Sequence, residues 1–221
     1  MKEKITELKN KSEYAFDDLQ SIMQILRSPE GCPWDREQDH KSIRKNFIEE
    51  TYEVAEAIDT DNPVLLCEEL GDVLLQVVFH VEMEREAGGF GMTDVMNGIC
   101  EKLIRRHPHV FGDVTADTSE KVLANWDAIK KEEKGQKDIS DVLASVPTTL
   151  PALMKAQKMI KKASKSGEKI CLGGEEFDAF SKEEYAELLM KICESAARQG
   201  VDLEEILDAK CNNTVNIYKK A

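Results

Sequence analysis

Two groups of acidic residues occupy consecutive predicted helices of this 221-residue chain. The first group lies in the segment Glu49–Glu53, and the second contains Glu69 and Asp72, which are three residues apart. Carboxylates at this spacing project from the same side of a helix. Four or five of them, brought together by two packed helices, cannot all stay ionised in a partly dry site unless a cation lies between them. Hard oxygen ligands suit Mg²⁺ or Mn²⁺, so the pattern predicts a divalent metal site.

The composition narrows the possible partners of such a site. The formal net charge is −13, which excludes a nucleic-acid backbone as an expected partner, because duplex binding usually needs a basic face. The six cysteines form no CxxC pair, which favours a reducing cytoplasm over a disulfide framework or a zinc knuckle. The N-terminal segment is charged and the longest apolar stretch is interrupted, so we expect a soluble protein with no membrane partner.

The hydrophobic periodicity predicts an all-α fold. A helix that contains Leu19 and Leu26 must end at the segment Pro29–Pro33, where two prolines and a glycine forbid continuation. Further helices are predicted over residues 42–58, 63–86, 93–106 and 119–133, with Pro63 at a first helical position and Thr93 as an N-cap. No alternating strand pattern of useful length occurs in the sequence.

The helix predicted over residues 63–86 is apolar around most of its circumference. Its narrow polar stripe consists of Glu69, Asp72, Gln76 and His80. Carboxylates are rarely buried without a partner, so Glu69 and Asp72 favour a site, whereas Glu56 and Glu68 are better interpreted as parts of a solvated face. Five short helices cannot surround so apolar a helix, and we therefore expect a homodimer in which a second subunit completes the bundle.

Basic and aromatic residues later in the chain can serve a phosphate substrate. Lys102 and Arg106 are four residues apart on one predicted helix, with Arg105 beside them, and Trp126 and Lys130 repeat that spacing on the next helix. Arg and Lys are the usual phosphate binders. On an acidic protein, however, each pair taken alone is more often a surface ion-pair element than a ligand site.

Three of the four histidines fall into two kinds. His107 and His109 flank Pro108 in a predicted helix-ending turn, where structural roles are expected. His40 follows a loop that contains Trp34, and it is the better candidate for contact with a substrate.

Four segments of the chain occur in an order that is typical of one family: CPWDREQ at 32–38, EETYEVAEAI at 49–58, ELGDVLLQVVFH at 69–80 and RRHPHVFG at 105–112. On these segments the chain resembles, from about residue 10 to about residue 135, the MazG-type nucleoside triphosphate pyrophosphohydrolases. The resemblance implies an all-α fold, a dimer, Mg²⁺ dependence with Mn²⁺ as a possible substitute, and cleavage of nucleoside triphosphates to monophosphate and pyrophosphate.

The same resemblance implies roles for individual residues. It assigns Glu50, Glu53, Glu69 and Asp72 as metal ligands, with Glu49 close by. It also assigns Lys102, Arg106, Trp126 and Lys130 to substrate contact. Leu65 departs from the pattern, because the more active repeat of two-repeat members carries a lysine there, and this departure implies lower activity or a pocket that relies on Lys102 and Arg106.

The predicted mechanism is in-line attack of a water on the α-phosphorus, with pyrophosphate leaving. Glu50 or Glu53 orients the water as a general base, and the sequence leaves open which of them is a ligand and which a base. Lys102, Arg106 and Lys130 stabilise charge on the leaving group. Trp34 or Trp126 stacks on the nucleobase, which tolerates any base because every base has a π-face.

We interpret residues 1–135 as a catalytic domain and residues 136–221 as a degenerate second repeat that serves packing or dimerisation. The segment Leu150–Ala156 resembles the connector helix, and Glu184–Leu189 resembles a relic of the ExxD motif. Asn213 and Ile217 stand where Lys and Arg would be needed. Helices are expected near 181–199 and 203–219, after a mobile linker over 165–174.

The leading hypothesis is therefore a Mg²⁺-dependent hydrolase of NTPs and dNTPs with broad base tolerance and a house-cleaning or stress-related role. The main alternative is a catalytically weak or silent regulator that senses nucleotides through the same pocket. A purely structural helical adaptor is a third hypothesis, and it predicts no metal-dependent change in melting temperature.

Overall fold

The computed structural model describes residues 1–133, 138–167 and 180–220, and every regular element within these ranges is an α-helix. The predicted all-α fold is therefore confirmed. The chain divides into two compact units, Met1–Thr115 and Ala116–Ala221. The sequence-based assignment of a catalytic domain that ends at residue 135 concerns function, and it stays a prediction.

The first unit contains seven helices, and the predictions for two long ones are close to the observed bounds. The helix predicted over 42–58 begins two residues later than predicted, at Arg44, and ends at Asp59. The helix predicted over 63–86 is confirmed. The helices are α1 (Lys2–Lys9), α2 (Phe16–Arg27), α3 (Pro33–Glu37), α4 (Arg44–Asp59), α5 (Pro63–Glu86), α6 (Met92–Arg106) and α7 (Pro108–Phe111).

Helices α4 and α5 form an antiparallel hairpin, and α2 packs on the same α5 helix. The turn between α4 and α5 fixes where α5 begins, because the Asn62 side chain accepts a hydrogen bond from the Leu65 N–H at 3.1 Å and Pro63 takes the first helical position. The core of the unit lies where the second half of α5 meets α2, and its fully buried members include Met23, Val78 and Phe79. The hairpin is thus the scaffold of the acidic residues.

One face of α5 is uncovered in the single chain. Val64, Leu70 and Leu74 are 76%, 51% and 40% exposed. The sequence predicted an α5 helix buried on several sides, and that burial is reached only in its second half. The exposed apolar side chains lie on the half that also carries the acids.

Two local predictions for the first unit were wrong. Thr93 does not cap α6, since the helix begins at Met92 and the Asp94 carboxylate accepts a hydrogen bond from the N–H of Gly91, the actual N-cap. The segment after Pro29 is not an irregular loop throughout, because it contains the short helix α3 with Pro33 at its first position. A proline at that position starts a helix as readily as it ends one.

The second unit is described here by itself. In its described part, α9, α10 and α12 pack together around a core that includes Leu143, Met159 and Cys211. The helix predicted over 119–133 is confirmed as α8, while α9 was not predicted. Its helices are α8 (Ser119–Glu133), α9 (Ile139–Ala144), α10 (Ala152–Lys165), α11 (Lys182–Gln199) and α12 (Leu203–Lys220).

A buried lysine joins two helices of this unit. The Lys155 ammonium group, on α10, donates to Asp208 Oδ1 and to Asn212 Oδ1 on α12, both at 2.7 Å. Its side chain is 2% exposed, and a buried charge of this kind requires such partners. The arrangement explains Lys155 as a structural residue.

Glu184, which the sequence-based interpretation treats as a relic of the ExxD motif, has a local role at the start of α11. Its carboxylate accepts a hydrogen bond from the Ser181 N–H at 2.7 Å, and its own N–H donates to Ser181 Oγ at 3.2 Å. This capping box occupies the side chain. Most of the linker predicted over 165–174 lies outside the described residues. Within the described ranges, no helix combines the length and the apolar character needed to cross a membrane.

Candidate metal and substrate site

Three carboxylates converge between α4 and α5. One oxygen each from Glu50, Glu69 and Asp72 lies within 4.8 Å of the others. Glu69 and Asp72 are three residues apart on α5 and therefore share its inner face, while Glu50 reaches them from the antiparallel α4. Glu69 is only 8% exposed, and Glu50 and Asp72 are half-buried. The predicted convergence of acids from two helices is observed.

Glu53 is the fourth acid of the cluster, although its own side chain is exposed. The pKa of Glu50 is raised by burial first, then by a hydrogen bond shared with the Glu53 carboxyl and by the charge of Asp72. The pKa of Glu69 is also raised by burial first, then by the charge of Glu53 and a hydrogen bond with it. Both shifts mean that the ionised cluster is unfavourable on its own, so a proton or a cation stabilises it.

The size and chemistry of the cluster fit one hard dication. Two oxygens on opposite sides of a magnesium ion are about 4.2 Å apart, because each Mg–O bond is about 2.1 Å long. The spread of up to 4.8 Å among Glu50, Glu69 and Asp72 therefore closes with a small shift of flexible side chains. All the donors are carboxylate oxygens, which suit Mg²⁺ and Mn²⁺. These residues can hold such an ion.

Neighbouring acids do not join this set. Glu49, Glu56 and Glu68 are exposed, as the solvated-face interpretation predicts for Glu56 and Glu68. The contrast with the buried Glu69 shows that the hairpin separates the acids of its inner face from those of its outer face.

The predicted basic residues lie on two different units. Lys102 and Arg106 are half-buried on α6, which packs against α5 in the first unit. Trp126 and Lys130 are half-buried on α8, in the second unit. The first pair thus belongs to the same compact unit as the acids, and the substrate role of all four residues stays a prediction.

Trp34 and His40 lie on the segment that joins α2 to α4. Trp34 is on α3 and is 56% exposed, and the His40 side chain is 45% exposed. Arg27 holds this segment in place, because its guanidinium donates to the carbonyl oxygens of Asp35 at 2.5 Å and Gln38 at 3.2 Å. The Arg27 side chain is itself 7% exposed.

Arg27 is fixed in turn by α5. It pairs with Glu86 through two hydrogen bonds, and its guanidinium lies over the ring of Phe79 at 5.3 Å. The role of Arg27 was not predicted from the sequence, since its partners on the segment are backbone carbonyls that no side-chain pattern reveals.

His80 and Glu84 were also missed as members of the site. His40 Nδ1 lies 2.8 Å from His80 Nδ1, and His40 Nε2 lies 3.0 Å from Glu84 Oε1. The polar stripe of α5 contained the available signal, because Asp72, Gln76, His80 and Glu84 follow one another at intervals of four residues. Gln76 is 6% exposed, and its Oε1 has no hydrogen-bond partner within the described residues.

The fold and the site define a class of protein: an all-α domain whose helical hairpin gathers carboxylates for a hard dication. A family model described as the MazG nucleotide pyrophosphohydrolase domain matches residues 38–111. The match contains the four clustered acids, His40, His80, Lys102 and Arg106, whereas Trp34, Trp126 and Lys130 lie outside it.

Similar proteins are known from several bacteria. The chain is 41% identical to the Nucleoside triphosphate pyrophosphohydrolase/pyrophosphatase MazG of Thermotoga maritima, over 93% of this chain and 84% of that protein. It is 49% identical to the Nucleoside triphosphate pyrophosphohydrolase of Escherichia coli K12, over 69% of this chain. It is 51% identical to the Uncharacterized protein YabN of Bacillus subtilis, over 67% of this chain.

The relatives differ in how much of their own length is matched. The similarity covers 58% of the Escherichia coli protein and 30% of the Bacillus subtilis protein. The Thermotoga maritima protein is matched over most of both lengths, so this chain belongs to the MazG nucleotide pyrophosphohydrolase family, a family of hydrolases that act on phosphoric anhydride bonds.

Proposed function

We propose that this protein hydrolyses nucleoside triphosphates at the α-phosphorus, giving a monophosphate and pyrophosphate, with Mg²⁺ as the natural cation and Mn²⁺ as a substitute. The observation that carries the proposal is the convergence of Glu50, Glu69 and Asp72 oxygens within 4.8 Å, inside the segment that matches the family. The names of the Thermotoga maritima and Escherichia coli relatives support the same activity.

The acids of the hairpin provide the binding chemistry. Glu50, Glu53, Glu69 and Asp72 would hold the cation, and the chemistry that it would supply when bound is neutralisation of phosphate oxygens and a lower pKa for the attacking water. Glu50 or Glu53 accepts the proton of that water as a general base. Both acids lie on α4, and their carboxyl groups share a hydrogen bond. The water oxygen forms a bond to the α-phosphorus while the bond to the bridging oxygen of pyrophosphate breaks.

Basic and aromatic side chains complete the proposed site. Lys102 and Arg106 stabilise negative charge as it moves to the leaving pyrophosphate, and Lys130 has the same proposed role. Trp34 or Trp126 stacks on the nucleobase. Stacking is tolerant of base identity, so we propose broad base tolerance and a house-cleaning or stress-related role.

We also propose that the protein works as a homodimer. Val64, Leu70 and Leu74 are exposed on α5 in the single chain, and Ile99 and Leu103 are exposed on α6. Apolar surface in this amount, next to the acidic hairpin, supports a second copy as its cover.

Incubation of the purified protein with Mg²⁺ and each of the common NTPs and dNTPs tests the proposed activity. The expected result is release of pyrophosphate and monophosphate in equal amounts, without orthophosphate. Removal of Mg²⁺ with a chelator is expected to abolish release. Saturable nucleotide binding without release would favour the sensing regulator instead, and the hydrophobic Leu65 is the feature that favours that alternative.

A further inference from the structure

His40 uses both of its ring nitrogens inside the protein. Its Nδ1 lies 2.8 Å from His80 Nδ1, and its Nε2 lies 3.0 Å from Glu84 Oε1. His80 and Glu84 are four residues apart on α5, so they face His40 from one side of one helix. The planes of the two imidazole rings are parallel within 3°, and the 2.8 Å between their Nδ1 atoms is a hydrogen-bond distance.

These contacts determine where the protons are. An ionised carboxylate only accepts hydrogen bonds, so Glu84 requires a proton on His40 Nε2. A neutral imidazole that carries its proton on Nε2 has a lone pair on Nδ1, and this lone pair accepts from the Nδ1–H of His80. Burial first, and then the neighbouring His40 ring, lower the pKa of His80, which favours its neutral form. The tautomers of both rings are thus fixed by one carboxylate.

The consequence for a substrate is that His40 has no free nitrogen to offer. Its side chain is nevertheless 45% exposed, so it presents the face and the carbon edge of the ring. A ring face stacks on any base or packs on a sugar. A free nitrogen, by contrast, would form a hydrogen bond with some bases and not with others, and would therefore discriminate between them.

We propose that His80 and Glu84 are positioning residues that hold His40 in a single tautomer and ring plane, and so make it a surface that does not discriminate between nucleobases. This inference rests on the proposed function and on the sequence-based prediction that His40 contacts the substrate. His80 and Glu84 act on specificity through His40 alone and have no contact with the reacting atoms in this proposal.

The segment that carries His40 has separate anchors, which makes the proposal testable by substitution. Arg27 binds the carbonyl oxygens of Asp35 and Gln38, and the Asp39 carboxylate accepts from the N–H groups of Lys41 and Ser42 at 2.9 and 2.8 Å. These contacts do not involve His80 or Glu84. The backbone around His40 is therefore expected to persist when either residue is replaced.

Glu84→Ala and Glu84→Gln form a matched pair of variants. The alanine variant removes the acceptor for His40 Nε2–H, whereas the glutamine variant keeps an amide oxygen that can accept the same hydrogen bond. His80→Phe removes the partner of Nδ1 while keeping a ring beside Phe47, which now packs on His80 with centroids 5.8 Å apart. His107→Gln serves as a control, because the contact of His107 Nδ1 with the Leu103 carbonyl oxygen on α6 involves none of His40, His80 and Glu84.

Nitrogen NMR of the imidazoles at pH 8 gives the first readout, and it does not depend on activity. The expected spectrum of the wild-type protein shows His40 protonated only on Nε2. Glu84→Ala is expected to mix the two tautomers, and Glu84→Gln is expected to restore the single one. A wild-type His40 that is protonated on Nδ1, or that averages between tautomers, would overturn the proposal.

The second readout is kcat/KM for ATP, GTP, CTP and UTP. A hydrogen bond that His40 makes with some bases and not with others contributes about 0.5–1.5 kcal/mol. This energy corresponds to an about two- to tenfold change in the ratio of kcat/KM between two nucleotides. The ratios are expected to spread by that factor in Glu84→Ala and His80→Phe, through KM rather than kcat, and to stay unchanged in Glu84→Gln and His107→Gln. Unchanged ratios in a Glu84→Ala protein whose tautomers are mixed would refute the specificity role.

The two proposals fail in different ways. If the wild-type protein releases no pyrophosphate, the proposed function is refuted, and dissociation constants for the four nucleotides then replace kcat/KM in the same comparison. If it releases pyrophosphate and His40 is not a single tautomer, only the positioning role is refuted.

Discussion

Glu69 is the residue whose surroundings determine how the acidic cluster behaves. It is 8% exposed and lies among Glu50, Glu53 and Asp72, with no lysine or arginine recorded as its partner within the described part of the chain. A buried carboxylate in this setting is stable when it is protonated or bound to a cation. Stability and metal binding should therefore be linked at this position.

That linkage predicts an unusual pH dependence for the metal-free protein. The pKa values of Glu50 and Glu69 are raised in the folded state, so above the ordinary glutamate pKa of about 4.3 the folded form binds more protons than the unfolded form. The free energy of unfolding should then fall as the pH rises through this range.

Urea unfolding at a series of pH values, with a chelator present, measures this contribution. Glu69→Gln should show a smaller fall than the wild-type protein, because one of the two groups is gone. Saturating Mg²⁺ should reduce the fall in the wild-type protein. Equal pH slopes for the wild-type protein and Glu69→Gln would contradict the account.

Loss of a single ligand should affect turnover much more than folding. Asp72→Asn and Glu53→Gln are each expected to lower turnover by at least about a hundredfold, or about 2.7 kcal/mol of transition-state stabilisation. The physical reason is that an amide oxygen carries no full charge to hold the cation. Pyrophosphate release and thermal melting are the measurements.

Glu56→Gln is the matched control for these variants, since Glu56 lies on α4 and is exposed. It should retain wild-type turnover. Full activity in both ligand variants, or an equal loss in Glu56→Gln, would remove the metal-site assignment.

The sequence reveals the acids better than it reveals the network around His40. Spacing alone places Glu69 and Asp72 on one face of α5, and the apolar surroundings indicate their burial. By contrast, the Glu84–His40–His80 contacts depend on how the segment from 38 to 43 returns to α5. Long-range geometry of this kind is not contained in local periodicity.

At the scale of elements, the turn between α2 and α3 leaves no room for a side chain at Gly31. A Cβ added at Gly31 would lie 2.2 Å from the carbonyl oxygens of both Ile25 and Leu26. These atoms belong to the backbone of α2 and cannot rotate away. The turn therefore requires glycine, and it sets the path of the segment that carries Trp34 and His40.

Gly31→Ala should accordingly destabilise the protein by about 2 kcal/mol or more, because overpacking against backbone forces the turn to shift. Gly98→Ala is the matched control. Gly98 is exposed inside α6 with nothing within 4 Å of an added Cβ, so alanine should be neutral or stabilise by about 0.5–1 kcal/mol. Urea unfolding measures both, and equal stability of the two variants would show that the turn tolerates a side chain.

The bounds of a helix could be predicted where capping and turn-forming residues lie directly at its ends. Asn62 and Pro63 start α5, and Gly88 and Gly89 follow its end, so its observed bounds match the predicted ones. The short helix α3 was missed because its five residues are too few to show a helical period. The cap of α6 was misplaced because the side chain of Asp94 reaches back to Gly91, a reciprocal contact that a cap preference alone does not indicate.

At the scale of the whole molecule, a substitution on the exposed apolar face of α5 tests the proposed homodimer. Leu74→Lys places a charge on that face, where Leu74 is 40% exposed in the single chain. It should shift sedimentation equilibrium from dimer to monomer, because an unpaired buried charge is costly at an interface.

Gln24→Lys is the control for this substitution, since Gln24 is exposed on α2. It should sediment as the wild-type protein does. A wild-type monomer, or a Leu74→Lys protein that remains dimeric, would refute the proposed use of this face.

The two-unit organisation was only partly accessible from sequence. The break in compactness falls between Thr115 and Ala116, ahead of Trp126 and Lys130, which the sequence-based interpretation assigns to substrate contact. The apolar periodicity of the second unit allowed α11 and α12 to be predicted near their observed positions. The roles of its polar residues could not be predicted, because Glu184 and Lys155 make capping and packing contacts.

Diffraction from crystals grown with Mn²⁺ tests the central claim most directly, because the anomalous signal of manganese locates the ion without reference to activity. The account predicts a peak bound by carboxylate oxygens from the set Glu50, Glu53, Glu69 and Asp72 at about 2.2 Å, and its loss in Asp72→Asn crystals. A manganese ion held by other residues, or none at all in a protein that still releases pyrophosphate, would contradict it.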